Sequence, residues 1–281
     1  MPAYALFGDP VAHSVSPAMQ QAAFRAAGLT ASYQAVRIAP AELPSAIARL
    51  RAGEWQGANV TIPHKQAVIS LLDGLTETAL TVGAVNTLFW ADGQLIGDNT
   101  DVGGFLADLD TLRVDVRGQA AMVLGSGGSA RAVTAGLLSR GVLVRLFSRN
   151  RPTAEHLAEM LTAHLGGAIS VHDLTPLDLG QYADLSALVV NCTPLGMHPN
   201  IYTSPWPVVV PIPESLFVYD LVYNPSETAL MRHATASKAR AASGLGMLVQ
   251  QGALAFQRWT GQPADVTAMH AAAETALKEH A

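Results

Sequence analysis

Cysteine is almost missing from this 281-residue chain: Cys192 is the single thiol, which excludes an intrachain disulfide and a cysteine-rich zinc site. The nine histidines contain no His-Glu-x-x-His pair, so no metal site is read and catalysis by a metal is not expected. Long apolar runs are lacking as well. No stretch approaches the roughly 20 apolar residues that span a bilayer. Residues Met1–Pro10 carry no basic n-region and meet Asp9 before any such run, so neither a membrane span nor a secretory leader is read, and the expected compartment is the cytoplasm. Positive charge is not concentrated anywhere: the formal net charge is -5 with Lys and Arg scattered. That gives no footprint for a phosphate backbone, and nucleic acid is not an expected partner.

What remains is a chain built to fold. Apolar residues make up 49% and charged residues 14%, far from the composition of disordered chains, and the length suits two medium α/β lobes. Short β-like runs alternate with helical patterns: Tyr4–Gly8 then Ser16–Gly28, Tyr33–Ile38 then Ala41–Gly53, Gly57–Ile62 then His64–Leu72. This rhythm predicts a parallel sheet covered by helices. Val85–Trp90 and Gln94–Gly97 flank the three-residue connection Ala91-Asp92-Gly93, whose Asp-Gly chemistry predicts a hairpin and hence a mixed sheet. A second series runs through Ala120–Leu124, Ser129–Ser139, Val142–Phe147, Leu188–Asn191 and Phe217–Leu221, with a linking helix at Val102–Leu112. Helices are also predicted over Ser226–Ala236, over Gly246–Trp259 across the junction of the lobes, and from Pro263 to Lys278.

Between Ala120–Leu124 and the next helical run stands Gly125-Ser126-Gly127-Gly128-Ser129-Ala130-Arg131. A glycine turn between strand and helix lets backbone N–H groups approach a pyrophosphate, and the helix N-terminus adds partial positive charge. Ala130 replaces the third glycine of Gly-x-Gly-x-x-Gly, yet stays small enough for helix to meet strand. The plainer reading is a structural turn. After Val142–Phe147 come Ser148-Arg149-Asn150-Arg151, where NAD-selective Rossmann-type folds place an acidic residue on the ribose. An arginine there favours a 2′-phosphate, hence NADP, unless it is only a solvated basic turn.

Three polar clusters fall at predicted strand ends: His13-Ser14-Val15-Ser16-Pro17, Asn59-Val60-Thr61-Ile62-Pro63-His64-Lys65, and Asn86 with Asp98-Asn99-Thr100-Asp101. Carboxyl ends of strands form the ligand crevice in open α/β sheets, and this many hydroxyls and amides suits a polyhydroxylated ligand. Ser16 before Pro17 also reads as a helix N-cap. Asn59 and Thr61 alternate along a strand and face one side. Lys65 is predicted at a helix start, where a cation opposes the dipole, though it could simply be exposed, and Asp101 could simply cap the helix that follows it.

With these segments goes a resemblance to the shikimate dehydrogenase family over nearly the whole chain. It is carried further by Gly83-Ala84-Val85-Asn86-Thr87, Asn191-Cys192-Thr193-Pro194-Leu195-Gly196, Tyr219-Asp220-Leu221-Val222-Tyr223-Asn224-Pro225 and Gly244-Leu245-Gly246-Met247-Leu248-Val249. The resemblance implies NADP(H)-dependent reduction of 3-dehydroshikimate to shikimate, a step of chorismate and aromatic amino-acid biosynthesis. By it, Ser14 and Ser16 bind the substrate carboxylate, Asn59, Thr61, Asn86, Tyr223 and Gln251 reach its hydroxyls and carboxylate, and Lys65 with Asp101 stand at the reacting oxygen. Gly125, Ser126, Gly127, Gly128 and Ser129 hold the pyrophosphate, while Ser148, Arg149 and Asn150 hold the adenosine phosphate. Thr193, Leu221, Gly244 and Met247 line the nicotinamide side, with Glu77 near the cofactor. The expected architecture is α/β in two lobes: an N-terminal mixed-sheet substrate-binding and catalytic domain, residues 1–101 and 245–281, and a Rossmann-type NADP-binding domain, residues 102–244. The C-terminal helices pack back on the first lobe.

Two departures from the family's commonest pattern bear on detail. Val102 follows Asp101 where glycine is usual, and Thr153 stands where a second arginine often reads the 2′-phosphate, leaving Arg151 to compensate. The NADP preference is therefore expected to be weaker than usual. Two other functions compete: a quinate/shikimate dehydrogenase using NAD(P) in the catabolic direction, against which Ser14 and Arg149 argue, and a ligand-sensing relative without catalysis, against which Lys65 and Asp101 argue. The oligomeric state, a homodimer included, is left open.

Overall fold

The computed structural model describes residues 1–279. The last two residues of the 245–281 segment expected to rejoin the first lobe lie outside that range. The chain divides into two compact units, residues 1–104 together with the chain from Leu248 onward, and Phe105–Met247. Both boundaries fall inside helices, α4 (Asp101–Thr111) and α9 (Leu245–Thr260).

The first unit is a six-stranded mixed sheet in the order β2-β1-β3-β5-β6-β4, formed by Ser32–Arg37, Ala3–Gly8, Gly57–Val60, Thr87–Ala91, Gln94–Asp98 and Gly74–Leu75. β1 runs parallel to β2 and β3, whereas β5 is antiparallel to β3 and β6. Ala91 pairs with Gln94, so the hairpin loop has two residues rather than the expected three. Asp92 and Gly93 both take positive φ, 50° and 76°, as a twist-matched two-residue turn requires. One sheet face closes over Phe7, Leu50, Trp55, Val60, Leu88 and Leu95. Helices α1 (Ser16–Ala26) and α10 (Val266–Glu279) pack on each other, so the C-terminal segment does return to the first unit.

The expected helix His64–Leu72 shrinks to a single 3₁₀ turn at Ala67–Leu71. The carbonyl of Lys65 accepts the N–H of Val85 (2.7 Å) and is lost to helical bonding, and the chain is already extended at Leu72. Lys65 therefore sits in an irregular turn and not at a helix start.

The second unit is a fully parallel six-stranded sheet, β12-β11-β10-β7-β8-β9. Its strands are Ala241–Ser243, Phe217–Asp220, Leu188–Asn191, Ala120–Leu124, Leu143–Ser148 and Ile169–Asp173. The winding direction reverses between β7 and β10, which in doubly wound sheets is where ligands enter. Helices α5 (Gly128–Ser139), α6 (Arg151–Leu165), α7 (Pro176–Ala183) and α8 (Ala229–Ala236) connect the strands. Among the described residues no helix is long and apolar enough to cross a membrane.

Candidate active site

In the first unit, the polar residues that follow β3 and β6 meet around one amide. Lys65 Nζ donates to Asp101 Oδ2 at 2.5 Å, and the two side chains are only 13% and 7% exposed. The other Asp101 oxygen accepts Asn86 Nδ2 at 2.8 Å. That nitrogen also lies 3.0 Å from Thr100 Oγ1 and 3.2 Å from Gln251 Oε1, so two amide hydrogens are shared among three acceptors. Asn86 Oδ1 accepts the Thr100 N–H at 2.8 Å, which leaves only one workable orientation for the amide. Such a buried network is stable only when every member is satisfied, and it then holds each member in one place.

Local structure explains the placement. Asn86 bridges β3 and β6: its carbonyl accepts the Val60 N–H and its own N–H donates to Asp98. Asn99 Oδ1 accepts the Asp101 N–H, and Asn99 Nδ2 holds the carbonyl of Ala84. Asp101 thus opens α4 with one carboxylate oxygen on Lys65 and the other on Asn86. Gln251 arrives from α9 because α4 has no side chains where the helices touch. A Cβ on Gly104 would lie 2.6 Å from Gln251 Cβ and 2.7 Å from its nitrogen, and one on Gly103 would lie 2.8 Å from Leu254 Cδ1. The glycines that permit this contact are therefore the second and third after Asp101, and Val102 is accommodated as ordinary helix. Gly104→Ala is expected to destabilise the protein by about 1–3 kcal/mol through overpacking, read as a lowered Tm; an unchanged Tm would show that the helices separate freely.

Ser16 is not the N-cap of α1: Val15 holds that position, and no side chain caps the helix. Instead Ser14 Oγ accepts the Ser16 N–H at 3.2 Å, leaving Ser14 half-buried and Ser16 buried at the start of the helix. Asn59 is enclosed among neighbours, donating to the Asn86 carbonyl and Thr87 Oγ1 and accepting from the Tyr33 hydroxyl at 2.8 Å. It braces Asn86 from behind. Thr61 follows β3, with its methyl over Gly8, where any Cβ would come within 2.3 Å of it. Glu77 is exposed in the first turn of α3 (Glu77–Val82), and Tyr223 lies half-buried in the second unit beyond β11.

His64 was not among the expected site residues. It is buried, and its Nε2 donates to the Ile38 carbonyl at 2.6 Å, tying the loop that carries Lys65 to the end of β2. Its partner is a backbone carbonyl 26 residues away, a contact that no local pattern announces.

In the second unit the strand ends at the reversal point meet closely. Gly125 has φ +110°, and a Cβ there would lie 3.3 Å from the carbonyl of Cys192 and the methyl of Thr193. Gly127 is the N-cap of α5 with no side-chain hydrogen bond, and a Cβ on it would meet nothing within 4 Å. Helix α5 therefore begins without a side-chain acceptor at its cap and with open space beside Gly127, the setting an anion site at a helix N-terminus requires. Ser126 and Ser148 hydroxyls lie 3.0 Å apart, linking the glycine turn to the end of β8, while Asn150 caps α6 by accepting the Thr153 N–H. Arg149 is exposed. Arg151, expected to compensate for a missing arginine, is engaged by Glu155 (2.9 Å) and Asp173 (3.3 Å).

Beyond β10, Asn191 Oδ1 accepts both the N–H and the hydroxyl of Thr193, and Asn191 Nδ2 donates to Asp220 Oδ1. Asp220 also accepts from Thr228 Oγ1 and the Val222 N–H. Burial pushes its carboxyl above the ordinary range while these donors pull it back. Asn191 and Asp220 therefore set the paths of the two loops that carry Thr193 and Leu221.

A doubly wound sheet with a glycine-rich helix start that no side chain caps at its reversal point belongs to a dinucleotide-binding enzyme, and an ammonium paired with a carboxylate beside an array of hydroxyls and amides suits hydride exchange at a carbonyl. Comparison with known proteins narrows that class. Residues 6–88 match the family model for the shikimate dehydrogenase substrate binding domain, and residues 244–274 match that for the shikimate 5′-dehydrogenase C-terminal domain. The shikimate dehydrogenase (NADP(+)) of Symbiobacterium thermophilum is 45% identical over 275 residues, 97% of this chain and 94% of that one. The Salinibacter ruber protein of the same name is 46% identical over 91% of this chain and 90% of its own length. The crystal structure of shikimate 5-dehydrogenase from Thermus thermophilus in complex with NADP(H) and shikimate superposes with a TM-score of 0.88 at 37% identity, covering 98% of this chain and 100% of the other. The chain belongs to the shikimate dehydrogenase family.

Proposed function

We propose that the protein reduces 3-dehydroshikimate to shikimate with NADPH in the cytoplasm, in the biosynthetic direction. The observation that carries this reading is the nearly buried Lys65–Asp101 pair joined through Asn86 to Gln251. NADP(H), when bound, supplies or accepts the hydride. The residues of the second unit fit it: the open turn from Gly125 to Ser129 takes the pyrophosphate, and Ser148, Arg149 and Asn150 take the adenosine phosphate. Thr193, Leu221, Gly244 and Met247 flank the nicotinamide.

Reduction adds a hydride to the carbonyl carbon and a proton to its oxygen. Lys65 holds its ammonium at that oxygen, where negative charge develops, and Asp101 keeps the ammonium aimed. Ser14 and Ser16 take the substrate carboxylate, and Thr61, Asn86, Tyr223 and Gln251 read its hydroxyls. Asn59 supports Asn86 from below. The test is absorbance at the reduced-nicotinamide band with shikimate or quinate and either cofactor: turnover of shikimate with NADP+ is expected, and faster kcat/KM on quinate would replace this reading with the catabolic one.

Arg149 carries the cofactor preference without help from Arg151. A charge-assisted bond to phosphate is worth about 10-fold or more in affinity. Arg149→Ala is therefore expected to lower kcat/KM for NADP+ by about that factor and to leave NAD+ unchanged, whereas Arg151→Ala changes either by less than about threefold. Equal loss with both cofactors would remove Arg149 from phosphate recognition.

A further inference from the structure

The second unit contains a buried acid–phenol pair that none of the roles above uses. Asp108, on α4, is 5% exposed, and Tyr219, on β11, is fully buried. The Tyr219 hydroxyl donates to Asp108 Oδ2 at 2.5 Å, and its oxygen accepts the backbone N–H of Met247. Phe105 fixes the ring edge-on, with centroids 5.5 Å apart. The carboxylate lies against the first turn of α9 so closely that a Cβ on Gly246 would fall 2.0 Å from Asp108 Oδ1. It faces the positive end of the dipole of a 16-residue helix. The neighbouring turn is as tightly held, since a Cβ on Gly244 would lie 2.3 Å from the Leu221 carbonyl oxygen.

Burying a carboxylate and a phenol is a weak way to gain stability, because well-packed apolar side chains of similar volume do as well. What a polar pair adds is direction. It meets the backbone of one short segment, with the Met247 N–H at the phenol oxygen and the Gly246 backbone packed against the carboxylate, and that segment with Gly244 and Leu221 is the proposed wall for the nicotinamide ring. We infer that Asp108 and Tyr219 are positioning residues for the nicotinamide half of the cofactor, fixing the Met247 backbone and the first turn of α9 against Leu221. Burial, and then the Asp108 charge, hold the Tyr219 phenol well above its ordinary range, so it remains a donor throughout the working pH range.

The inference rests on the proposed binding of NADP(H) to this unit, and its test separates the two. Affinities of wild type, Tyr219→Phe and Asp108→Asn are measured by titration calorimetry for NADP+ and for adenosine 2′,5′-bisphosphate, which lacks the nicotinamide half. Loss of a buried hydrogen bond in such a network is worth about 10-fold. Each variant is expected to weaken NADP+ binding by roughly that factor, to bind the bisphosphate within about twofold of wild type, and to raise KM for NADP+ while leaving KM for shikimate nearly constant. Equal weakening of both ligands, or unchanged NADP+ affinity, overturns the inference. Wild-type protein that binds neither ligand overturns the cofactor reading and the inference with it. Should Tyr219→Phe fail to fold, Asp108→Asn carries the same comparison alone.

Discussion

Lys65→Ala is expected to lower kcat by about 10²-fold or more while KM for shikimate shifts only a few-fold. The ketone oxygen of the bound substrate is nearly neutral, and it gains charge as hydride arrives. An ammonium held beside it is thus worth much more in the transition state than in the ground state. With Lys65 and Asp101 only 13% and 7% exposed, little water is at hand to take over. Alanine also strands Asp101 with Asn86 as its one remaining side-chain donor, a cost that falls on stability because a buried charge loses its partner. A thermal melt run with the kinetics separates the two effects. A folded variant with near-normal kcat would remove Lys65 from the reaction.

Asp101→Asn is expected to cost turnover on a similar scale, about 10²-fold, with the fold retained. The reason lies in donor and acceptor bookkeeping. Both oxygens of Asp101 accept, one from Lys65 and one from Asn86, and an asparagine must turn an NH2 toward one of them. Facing Lys65, it sets donor against ammonium. Facing Asn86, it sets donor against donor, and Asn86 cannot flip in reply because its own oxygen is held by the Thr100 N–H. Either outcome loosens the lysine without opening a cavity. Wild-type turnover in the variant would reduce Asp101 to the first residue of a helix.

The glycine turn is legible in the sequence because its function is local: one stretch of seven residues supplies turn and helix start, and the positive φ and close contacts at Gly125 show why a glycine opens it. The catalytic pair is a different case. Lys65 and Asp101 lie 36 residues apart, and Asn86 and Gln251 lie 165 apart. No periodicity joins them, so their convergence is foreseen only through the family resemblance. The weak points of the reading also have local causes. Ile169–Asp173 is an edge strand with no buried residue, so it lacks the apolar signature that marks the strands beside it. Helix α6 opens at the asparagine that the reading gives to the cofactor, and a capping signal goes unused. Asp108 and Tyr219 look like an ordinary helix acid and strand aromatic until the fold brings them together across 111 residues.

The order of segments along the chain has a consequence for biogenesis. Every strand of the second sheet comes from one uninterrupted stretch between residues 105 and 247, so that unit can complete itself while later residues are still being made. The first unit cannot. Tyr4 stacks on Trp259 at 4.9 Å, and Phe24 meets Phe256 at 5.2 Å, so the opening strand and helix emerge from the ribosome some 230 residues or more ahead of the rings that cover them. Until those rings are made, the aromatic faces of Tyr4 and Phe24 lack the cover they have in the folded unit, the kind of exposed apolar surface that makes a folding chain prone to aggregate.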